Sequence, residues 1–337
     1  MNIQQAIAAV IARHNLSSDE MTAVMRQIMT GDATPAQIGG FLIGLRMKGE
    51  TVDEIAAAAG VMRELATRVD LNHENLVDVV GTGGDSSGTF NVSTASALVA
   101  AAAGARVAKH GNRSASSKSG AADLLEAAGV NLDIDPDHVA RCVNEVGVGF
   151  MFAVKHHGAM KHAIGPRREM ATRTIFNVLG PLTNPAGAPN QVLGVYAREL
   201  VEPIAQVLKK LGSRHVMVVQ ADDGMDEISV CSSTQVAELR DGAINTYSIS
   251  PQDFGMSVAE VSAIQVDSPE ASLAMINSVL ANEAGPARDI VCLNAGATIY
   301  VAGCAQSHAE GIEKAKEAIG NGAAAQTLKN LIDISNA

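Results

Sequence analysis

The chain has 337 residues, of which 47% are hydrophobic and 18% are charged. This composition is typical of a folded globular protein and excludes a largely disordered chain. The net charge of −11 argues against a general nucleic-acid surface, because binding along a duplex requires a basic field. The four cysteines lie far apart without a CxxC pair. We therefore expect free thiols in a reducing, cytoplasmic compartment, without disulfides or a zinc site.

The first 72 residues are predicted to form a small all-helical domain of four short helices. Helix-start signals lie at Ser17–Glu20, Thr34–Gln37 and Thr51–Glu54, each with a capping hydroxyl and a reciprocal Glu or Gln three residues later. The N-terminus lacks the charged-then-apolar layout of a signal peptide, and no apolar stretch is long enough to cross a bilayer. We expect no contact with a membrane.

From residue 73 onward, strands alternate with helices. This pattern predicts an α/β fold, with a large α/β domain over 73–337 built on a mostly parallel central sheet. Strands are expected at 76–80, 105–108, 149–153, 192–196, 215–220, 235–239 and 246–249. Residues 156–190 interrupt the alternation, and 173–179 have helical character. We expect part of 165–190 to pack on the helical domain as a crossing segment.

The segment 81–94, Gly-Thr-Gly-Gly-Asp-Ser-Ser-Gly-Thr-Phe-Asn-Val-Ser-Thr, joins the first strand to the next helix. Glycine allows backbone amides to face a ligand, and the helix start adds free N–H groups and a positive dipole end. The segment matches neither the dinucleotide fingerprint nor the P-loop. An ordinary Gly-rich turn is the alternative, but the hydroxyl-rich helix start favours a cradle for a phosphate-rich small molecule.

Basic residues follow the second strand and fill the interrupted region. Lys109 can neutralise phosphate, and the serines at 114–117 can donate hydrogen bonds, although a solvated polar loop is the commoner explanation. The histidines His156, His157 and His162 indicate pocket lining more than metal binding, because no Cys or carboxylate accompanies them. One of the three arginines Arg167, Arg168 and Arg173 is expected to bind a carboxylate or phosphate, and the others to be surface residues.

Acidic residues follow the strand at 215–220. A turn explains Asp222–Gly224. Asp226 and Glu227 come just after this turn, before a β-like run at 228–230, and carboxylates at a strand end can hold Mg²⁺ together with substrate phosphates. The pair is therefore the better metal candidate. No nucleophile–base pair and no Gly-x-Ser-x-Gly elbow is evident.

On these residues the sequence resembles the anthranilate phosphoribosyltransferase family over essentially its whole length. The matching motifs are Gly81–Asp85, Asn91–Thr94, Lys109–Arg113, Arg173–Asn177, Gly180–Pro185, Asp226–Ser229 and Leu293–Gly296. The resemblance implies transfer of the phosphoribosyl group of 5-phosphoribosyl-1-pyrophosphate (PRPP) to the amino group of anthranilate. The products are N-(5-phosphoribosyl)anthranilate and pyrophosphate, and the reaction is the second step from chorismate to L-tryptophan. It also implies a homodimer formed through the helical domain.

Site residues carried over from the family fall into three groups. The PRPP-binding group is Gly81, Gly84, Asp85, Thr89, Asn91, Val92, Ser93, Thr94, Lys109, His110, Gly111, Asn112, Arg113, Ser114, Ala115, Ser116, Ser117 and Ala121. The anthranilate-binding group is Gly81, Asn112, His157 and Arg167. Two Mg²⁺ per monomer are expected on Ser93, Asp226 and Glu227. No residue is expected to act as a general acid or base; Lys109, Asn112 and Arg167 would stabilise the transition state, and His110 would shape its loop.

Two other functions compete with this interpretation. A pyrimidine-nucleoside phosphorylase-like enzyme would use phosphate and would not need the acidic pair. A non-catalytic, nucleic-acid-binding relative should carry a basic surface, which the net charge disfavours. The chain also departs from the family pattern at Gly158, Gly165, Gln220-Ala221 and Ala121. These departures concern the details of the anthranilate tunnel and leave the PRPP and metal motifs little affected.

Overall fold

The computed structural model describes residues 1–85, 87–113 and 120–337. Four helices open the chain, and all four begin with a capping box, including the three boxes that the sequence predicts. They are α1 (Ile3–Ile11), α2 (Ser18–Thr30), α3 (Pro35–Lys48) and α4 (Val52–Leu65). The small all-helical N-terminal part of the predicted fold class is confirmed.

A seven-stranded sheet forms the centre of the remaining chain. Its strands are β1 (Leu76–Gly81), β2 (Arg106–Gly111), β3 (Val148–Phe152), β4 (Asn190–Gly194), β5 (His215–Ala221), β6 (Thr234–Arg240) and β7 (Ala243–Ile249). The spatial order is β3-β2-β1-β4-β5-β6-β7. The first five strands in this order pair in parallel, and β6 and β7 add antiparallel pairs at one edge. The mostly parallel sheet predicted from the sequence is confirmed.

Helices cover both faces of the sheet and bridge the interrupted region. They are α5 (Val92–Ala102), α6 (Ala121–Ala127), α7 (Pro136–Val146), α8 (Ala153–His156), α9 (Lys161–Met170), α10 (Phe176–Leu179), α11 (Val201–Lys210), α12 (Pro269–Leu280), α13 (Pro286–Val301), α14 (His308–Gly320) and α15 (Ala323–Ser335). None of them, within the described ranges, has both the length and the apolar character needed to cross a membrane.

Two local expectations differ from the structure. Helix α9 is absent from the expected elements, since Gly165 and Pro166 interrupt its pattern; it forms because it packs on α2 and α3. The β-like run at 228–230 is not a strand. There the N–H of Ile228 donates to Asn294 Oδ1 (2.9 Å) and the N–H of Ser229 to Thr234 Oγ1 (3.1 Å), so side chains satisfy backbone groups that a strand ladder would pair.

The hydrophobic core lies in two main clusters, one on each face of the sheet. One cluster joins α5, α13 and α15 to the first face. The other joins the four N-terminal helices to α10, α11 and the second face of β4 and β5. Arg63 of α4 reinforces this second cluster by donating through Nε to the carbonyl of Leu182 (2.7 Å). The helical bundle therefore shares an apolar core with the sheet, next to the carboxyl ends of the strands.

Candidate active site

A cavity of about 570 Å³ opens at the carboxyl ends of β1 and β2, bounded on one side by α9 and α10. Most of the sequence-predicted site residues line it, although they come from five separate segments. Those on its wall are Gly81, Gly84, Asp85, Thr89, Asn91, Ser93, Lys109, His110, Gly111, Asn112, Arg113, Ala121, His157, Arg167, Asp226 and Glu227. The parallel sheet thus brings together residues that are up to 146 positions apart, from 81 to 227.

Val92 and Thr94 lie behind this wall. Val92 is fully buried in the core, and Thr94 is 2% exposed with its hydroxyl buried and without a hydrogen-bond partner. The N–H of Thr94 donates to Asn91 Oδ1 (3.0 Å), which caps α5. Asn91 and Ser93 line the cavity, whereas Val92 and Thr94 face the core, because neighbouring residues in the first turn of α5 point to different sides. The predicted contacts at Ser114–Ser117 lie outside the described residues.

The Gly-rich loop is held in a backbone conformation that only glycine adopts readily. Gly83 and Gly84 have φ values of 68° and 78°, in the left-handed region. The N–H of Thr82 donates to the carbonyl of Gly194 (2.9 Å), and the N–H of Gly83 donates to Asp226 Oδ2 (2.6 Å). The loop is therefore fastened to β4 and to the acidic pair, with Gly84 and Asp85 on the cavity wall.

Three carboxylates meet beside this loop. One oxygen from each of Asp85, Asp226 and Glu227 lies within 4.8 Å of the other two. Asp85 Oδ2 and Glu227 Oε2 are buried without a hydrogen-bond partner. Burial and then the charge of Asp85 raise the pKa of Asp226 to about 6, and burial and then the charge of Asp226 raise the pKa of Glu227.

This cluster fits a divalent cation. Unpartnered carboxylate oxygens that repel one another are the donor set that Mg²⁺ prefers, and a bound cation would reverse both pKa shifts. The place of Asp85 in this carboxylate cluster is missed by sequence reasoning, because Asp85 lies 141 residues from Asp226. The only sequence signal is its position directly after the glycines.

Lys109 is a buried cation at the cavity wall. It is 2% exposed, and its Nζ donates to the carbonyl of Val79 (2.7 Å) and to Ser93 Oγ (3.0 Å). Burial lowers its pKa to about 8, opposed by the negative charge of Asp78. The Ser93 hydroxyl itself donates to Asn91 Oδ1 (3.3 Å). The role of Ser93 as a Mg²⁺ ligand stays a prediction.

Two histidines form a neutral pair in the same cavity. His110 Nε2 and His157 Nε2 are 3.2 Å apart, and both rings are buried. Burial lowers the pKa of both residues, that of His157 to about 4. One N–H is therefore shared between the two facing nitrogens. Of the other histidines in the cluster, His156 donates to the Thr67 carbonyl through Nδ1 (2.8 Å) and His162 packs against Gly31 of the bundle.

Arg167 lies on the cavity wall without an ion pair to any described carboxylate. Its guanidinium stacks over the Phe176 ring at 5.1 Å. Burial lowers its pKa, and none of the described carboxylates opposes that shift. Arg168 is exposed, and Arg173 donates to the carbonyl of Gly84. An unpaired, half-buried guanidinium favours an anionic ligand with two acceptor oxygens.

Comparison with known proteins identifies relatives over the full length of the chain. The description "Glycosyl transferase family, a/b domain" matches residues 73–325, and "Glycosyl transferase family, helical bundle domain" matches residues 4–66. The anthranilate phosphoribosyltransferase of Thioalkalivibrio sulfidiphilus is 67% identical over 99% of each chain. The crystal structure of the Thermus thermophilus enzyme is similar with a TM-score of 0.94 at 41% identity, covering 98% of this chain and 99% of that one. The Saccharomyces cerevisiae enzyme in complex with PRPP and Mg has a TM-score of 0.90 at 28% identity, covering 99% and 98%.

Proposed function

The chain belongs to the anthranilate phosphoribosyltransferase family, and we propose that its cavity carries out the reaction of that family. It transfers the phosphoribosyl group of PRPP to the amino group of anthranilate and releases pyrophosphate, the second step from chorismate to L-tryptophan. The observation that carries this function is the combination, in one cavity, of a carboxylate cluster, a Gly-rich loop and an unpaired arginine. Neither the nucleoside phosphorylase nor the nucleic-acid-binding alternative is favoured.

The PRPP end of the cavity is assigned to the Gly-rich loop and the end of β2. The loop amides and the N-terminus of α5 would bind phosphate oxygens, and Lys109 would lie beside the pyrophosphate. In the transition state, the ribose gains oxocarbenium character and negative charge grows on the departing pyrophosphate. Preorganised donors that face this charge lower the barrier because they need no rearrangement during the reaction.

Mg²⁺ is the cofactor of this proposal, as in the yeast complex with PRPP and Mg. Asp85, Asp226 and Glu227 would hold it, with Ser93 as a further oxygen ligand, and we propose two ions per monomer. Bound Mg²⁺ would neutralise charge on the leaving pyrophosphate. The unpartnered oxygens of Asp85 and Glu227 support this assignment.

The anthranilate end of the cavity is assigned to Arg167, Asn112, Gly81 and His157. The amine of anthranilate is already a nucleophile, so orientation is the main contribution that the protein has to make. The neutral His110–His157 pair supports this, because His110 Nε2 already contacts His157. His110 is therefore proposed to shape the site rather than to remove a proton.

Replacing Arg167 with methionine should raise the KM for anthranilate by about 10- to 100-fold, the value of one lost charged hydrogen-bond pair. The KM for PRPP should change little, because Arg167 lies on α9 and stacks on Phe176 of α10, whereas the PRPP end is assigned to the Gly-rich loop and the end of β2. Steady-state kinetics with each substrate varied in turn provides the measurement. The exposed Arg168→Met variant is the matched control, and a selective loss of PRPP binding in R167M would contradict the assignment.

A homodimer through the helical bundle is part of the proposal. Ile11 of α1 and Met47 of α3 are 69% and 70% exposed, and the two helices approach so closely that a Cβ at Gly44 would contact Val10 and Ile11. Two exposed apolar side chains on this pair of packed helices support burial against a second copy. We also propose that the protein is cytoplasmic. Its helical domain is proposed to span residues 1–72, with part of 165–190 as the crossing segment, and its α/β domain residues 73–337.

The double variant Ile11→Asp/Met47→Asp should convert the dimer into monomers, because it places charges in an apolar interface. Size-exclusion chromatography with light scattering gives the mass. Val258, which is 49% exposed and lies outside the bundle, provides the control variant V258D. Unchanged mass in the double variant would remove the bundle as the interface.

The reaction itself is tested by following the fluorescence of anthranilate. Its loss should require both PRPP and Mg²⁺, with pyrophosphate released in equal amount. Cleavage of thymidine by phosphate, without consumption of anthranilate, would favour the nucleoside phosphorylase alternative. Binding of DNA that weakens with salt, without any turnover, would favour the nucleic-acid-binding alternative.

A further inference from the structure

Strands β1 and β2 stop pairing before either of them ends. Their backbone register covers only Leu76↔Arg106 and Val77↔Val107. On its other side, β1 stays paired with β4 as far as Gly81, and β2 stays paired with β3 as far as Gly111. The sheet therefore parts between β1 and β2 at their carboxyl ends, which is the edge on which the cavity lies.

Side chains take over the backbone hydrogen bonds in this gap. Asp78 Oδ1 accepts from the N–H of His110 (3.1 Å), and Lys109 Nζ donates to the carbonyl of Val79 (2.7 Å). Asn184 Nδ2 donates both to Asp78 Oδ2 (2.8 Å) and to the carbonyl of Ala108 (2.9 Å). Three backbone groups of the two strands thus find side-chain partners where a closed sheet would pair them with each other.

Asp78 and Asn184 do not line the cavity themselves. Asp78 is fully buried and Asn184 is 6% exposed. Asn184 Oδ1 is occupied as well, because it accepts from the N–H of Ala186 (2.9 Å). Every side-chain polar atom of Asp78 and Asn184 thus has a hydrogen-bond partner. Replacing one carboxylate oxygen of Asp78 with an NH₂ group would leave a donor facing a donor, and these buried surroundings cannot solvate it.

We propose that Asp78 and Asn184 are positioning residues for the phosphoribosyl transfer. They hold the end of β2 away from β1, so that Lys109 and His110 face the cavity from fixed positions. Asp78 also provides the largest of the negative charges that balance the Lys109 ammonium. The inference rests on the proposed function only for its kinetic readout.

The first test is the variant Asp78→Asn. If the oxygen of the introduced amide continues to accept from the N–H of His110, its NH₂ group faces the NH₂ group of Asn184. Lys109 also loses the largest of its balancing charges. We expect kcat/KM for PRPP to fall by about a hundredfold, the typical cost of a misplacement near 1 Å. The reciprocal variant Asp78→Asn/Asn184→Asp restores a carboxylate–amide pair and the charge, but it sets a carboxylate oxygen against the Ala108 carbonyl in place of a donor, so the recovery is expected to be partial. It should recover at least about tenfold of the loss.

A matched pair of variants separates positioning from stability. Asn184→Ala and Asn190→Ala each remove a buried amide that donates to a β-strand carbonyl. Asn190 donates to the carbonyl of Leu76 (2.9 Å), which lies at the opposite end of β1 from the cavity. Compared at equal folded fraction, N190A should stay within about twofold of the parent in kcat/KM. N184A should fall by about tenfold or more. Equal losses in both variants would show a purely structural role and overturn the proposal.

Histidine ring NMR signals provide a readout that does not need activity. The signals of His110 and His157, assigned by replacing each with glutamine, should move in D78N and N184A and stay in place in N190A. Unmoved signals in D78N, or a kcat/KM within about twofold of the parent, would overturn the proposal. If the parent chain fails to consume PRPP and anthranilate, the proposed function fails, while the ring signals still decide whether Asp78 positions His110.

Discussion

Replacing Glu227 with glutamine should remove most of the Mg²⁺-dependent turnover and, at the same time, stabilise the metal-free protein. Turnover falls because a carboxylate of the proposed metal cluster is lost; we expect a loss of about 10²- to 10³-fold in kcat, the range for removing one charge-stabilising group. The metal-free protein gains stability because the buried repulsion between Glu227 and Asp226 is relieved. A variant that merely damages the fold would lose both properties together.

The pH dependence of stability provides a second measurement on the same cluster. The pKa of Asp226 is raised in the folded chain from 3.8 to about 6. A raised carboxyl pKa means that the folded state holds its proton more tightly than the unfolded state. The stabilisation is complete below about pH 4 and is lost as the pH rises through about 6. Metal-free protein should therefore become less stable over this interval, and saturating Mg²⁺ should remove the loss.

Thermal unfolding with and without Mg²⁺, together with kinetics at several Mg²⁺ concentrations, measures these effects. Mg²⁺ should raise the midpoint of the parent chain through binding to the folded state alone, and should raise that of E227Q much less. Asp222→Asn is the matched control, because Asp222 is an exposed acid in the same segment and pairs with Arg198. An E227Q variant that keeps both the turnover and the Mg²⁺-dependent shift would remove Glu227 from the metal site.

Replacing Gly194 with alanine should destabilise the protein by about 3 kcal/mol, at the upper end of the cost of overpacking. A Cβ at this position would overlap the backbone carbonyl of Asp226, and backbone cannot rotate away as the end of a flexible side chain can. The displaced segment carries Asp226 and Glu227, so Mg²⁺ binding should weaken as well. The shift in the urea midpoint measures the first effect, and isothermal titration with Mg²⁺ measures the second.

Gly60→Ala is the control for this substitution. Gly60 lies in α4, and a Cβ there would meet no atom within 4 Å. This variant should be neutral or more stable by up to about 1 kcal/mol, the helix-propensity difference between glycine and alanine. A G194A variant as stable as G60A would mean that the segment at 226–227 can move freely, and it would contradict the close packing of the metal cluster on β4.

Much of the fold follows from local sequence signals. Capping residues mark the N-terminal helices, and short apolar runs mark the strands, because both signals act over a few residues. Helix α9 lacks such a signal: Pro166 removes one of its hydrogen bonds, and packing against α2 and α3 compensates. The run at 228–230 has the apolar pattern of a strand, but Asn294, 66 residues away, pairs with its backbone instead. Contacts of this range are not encoded in local periodicity.

The residues that line the cavity could largely be predicted from the sequence, but the contacts among their side chains could not. Motifs locate the Gly-rich loop and the acidic pair, since each is a contiguous run at a strand end. The cluster of Asp85 with Asp226 and Glu227 depends on how β1 and β5 are placed in the sheet. The contact of Asp78 with Asn184 depends on where the sheet parts. The burial of Val92 and Thr94 behind the cavity wall also depends on which face of α5 packs against the core.

The apolar core that the helical bundle shares with the sheet has a consequence during synthesis on the ribosome. The bundle is complete at Leu65, but its partners in this core come from later residues, beginning with Ala163 and ending with Leu239. At ordinary elongation rates the interval from Leu65 to these partners is on the order of ten seconds. Throughout this interval the nascent bundle presents an uncovered apolar face, so we expect chaperones that hold exposed apolar segments to associate with it until the sheet forms.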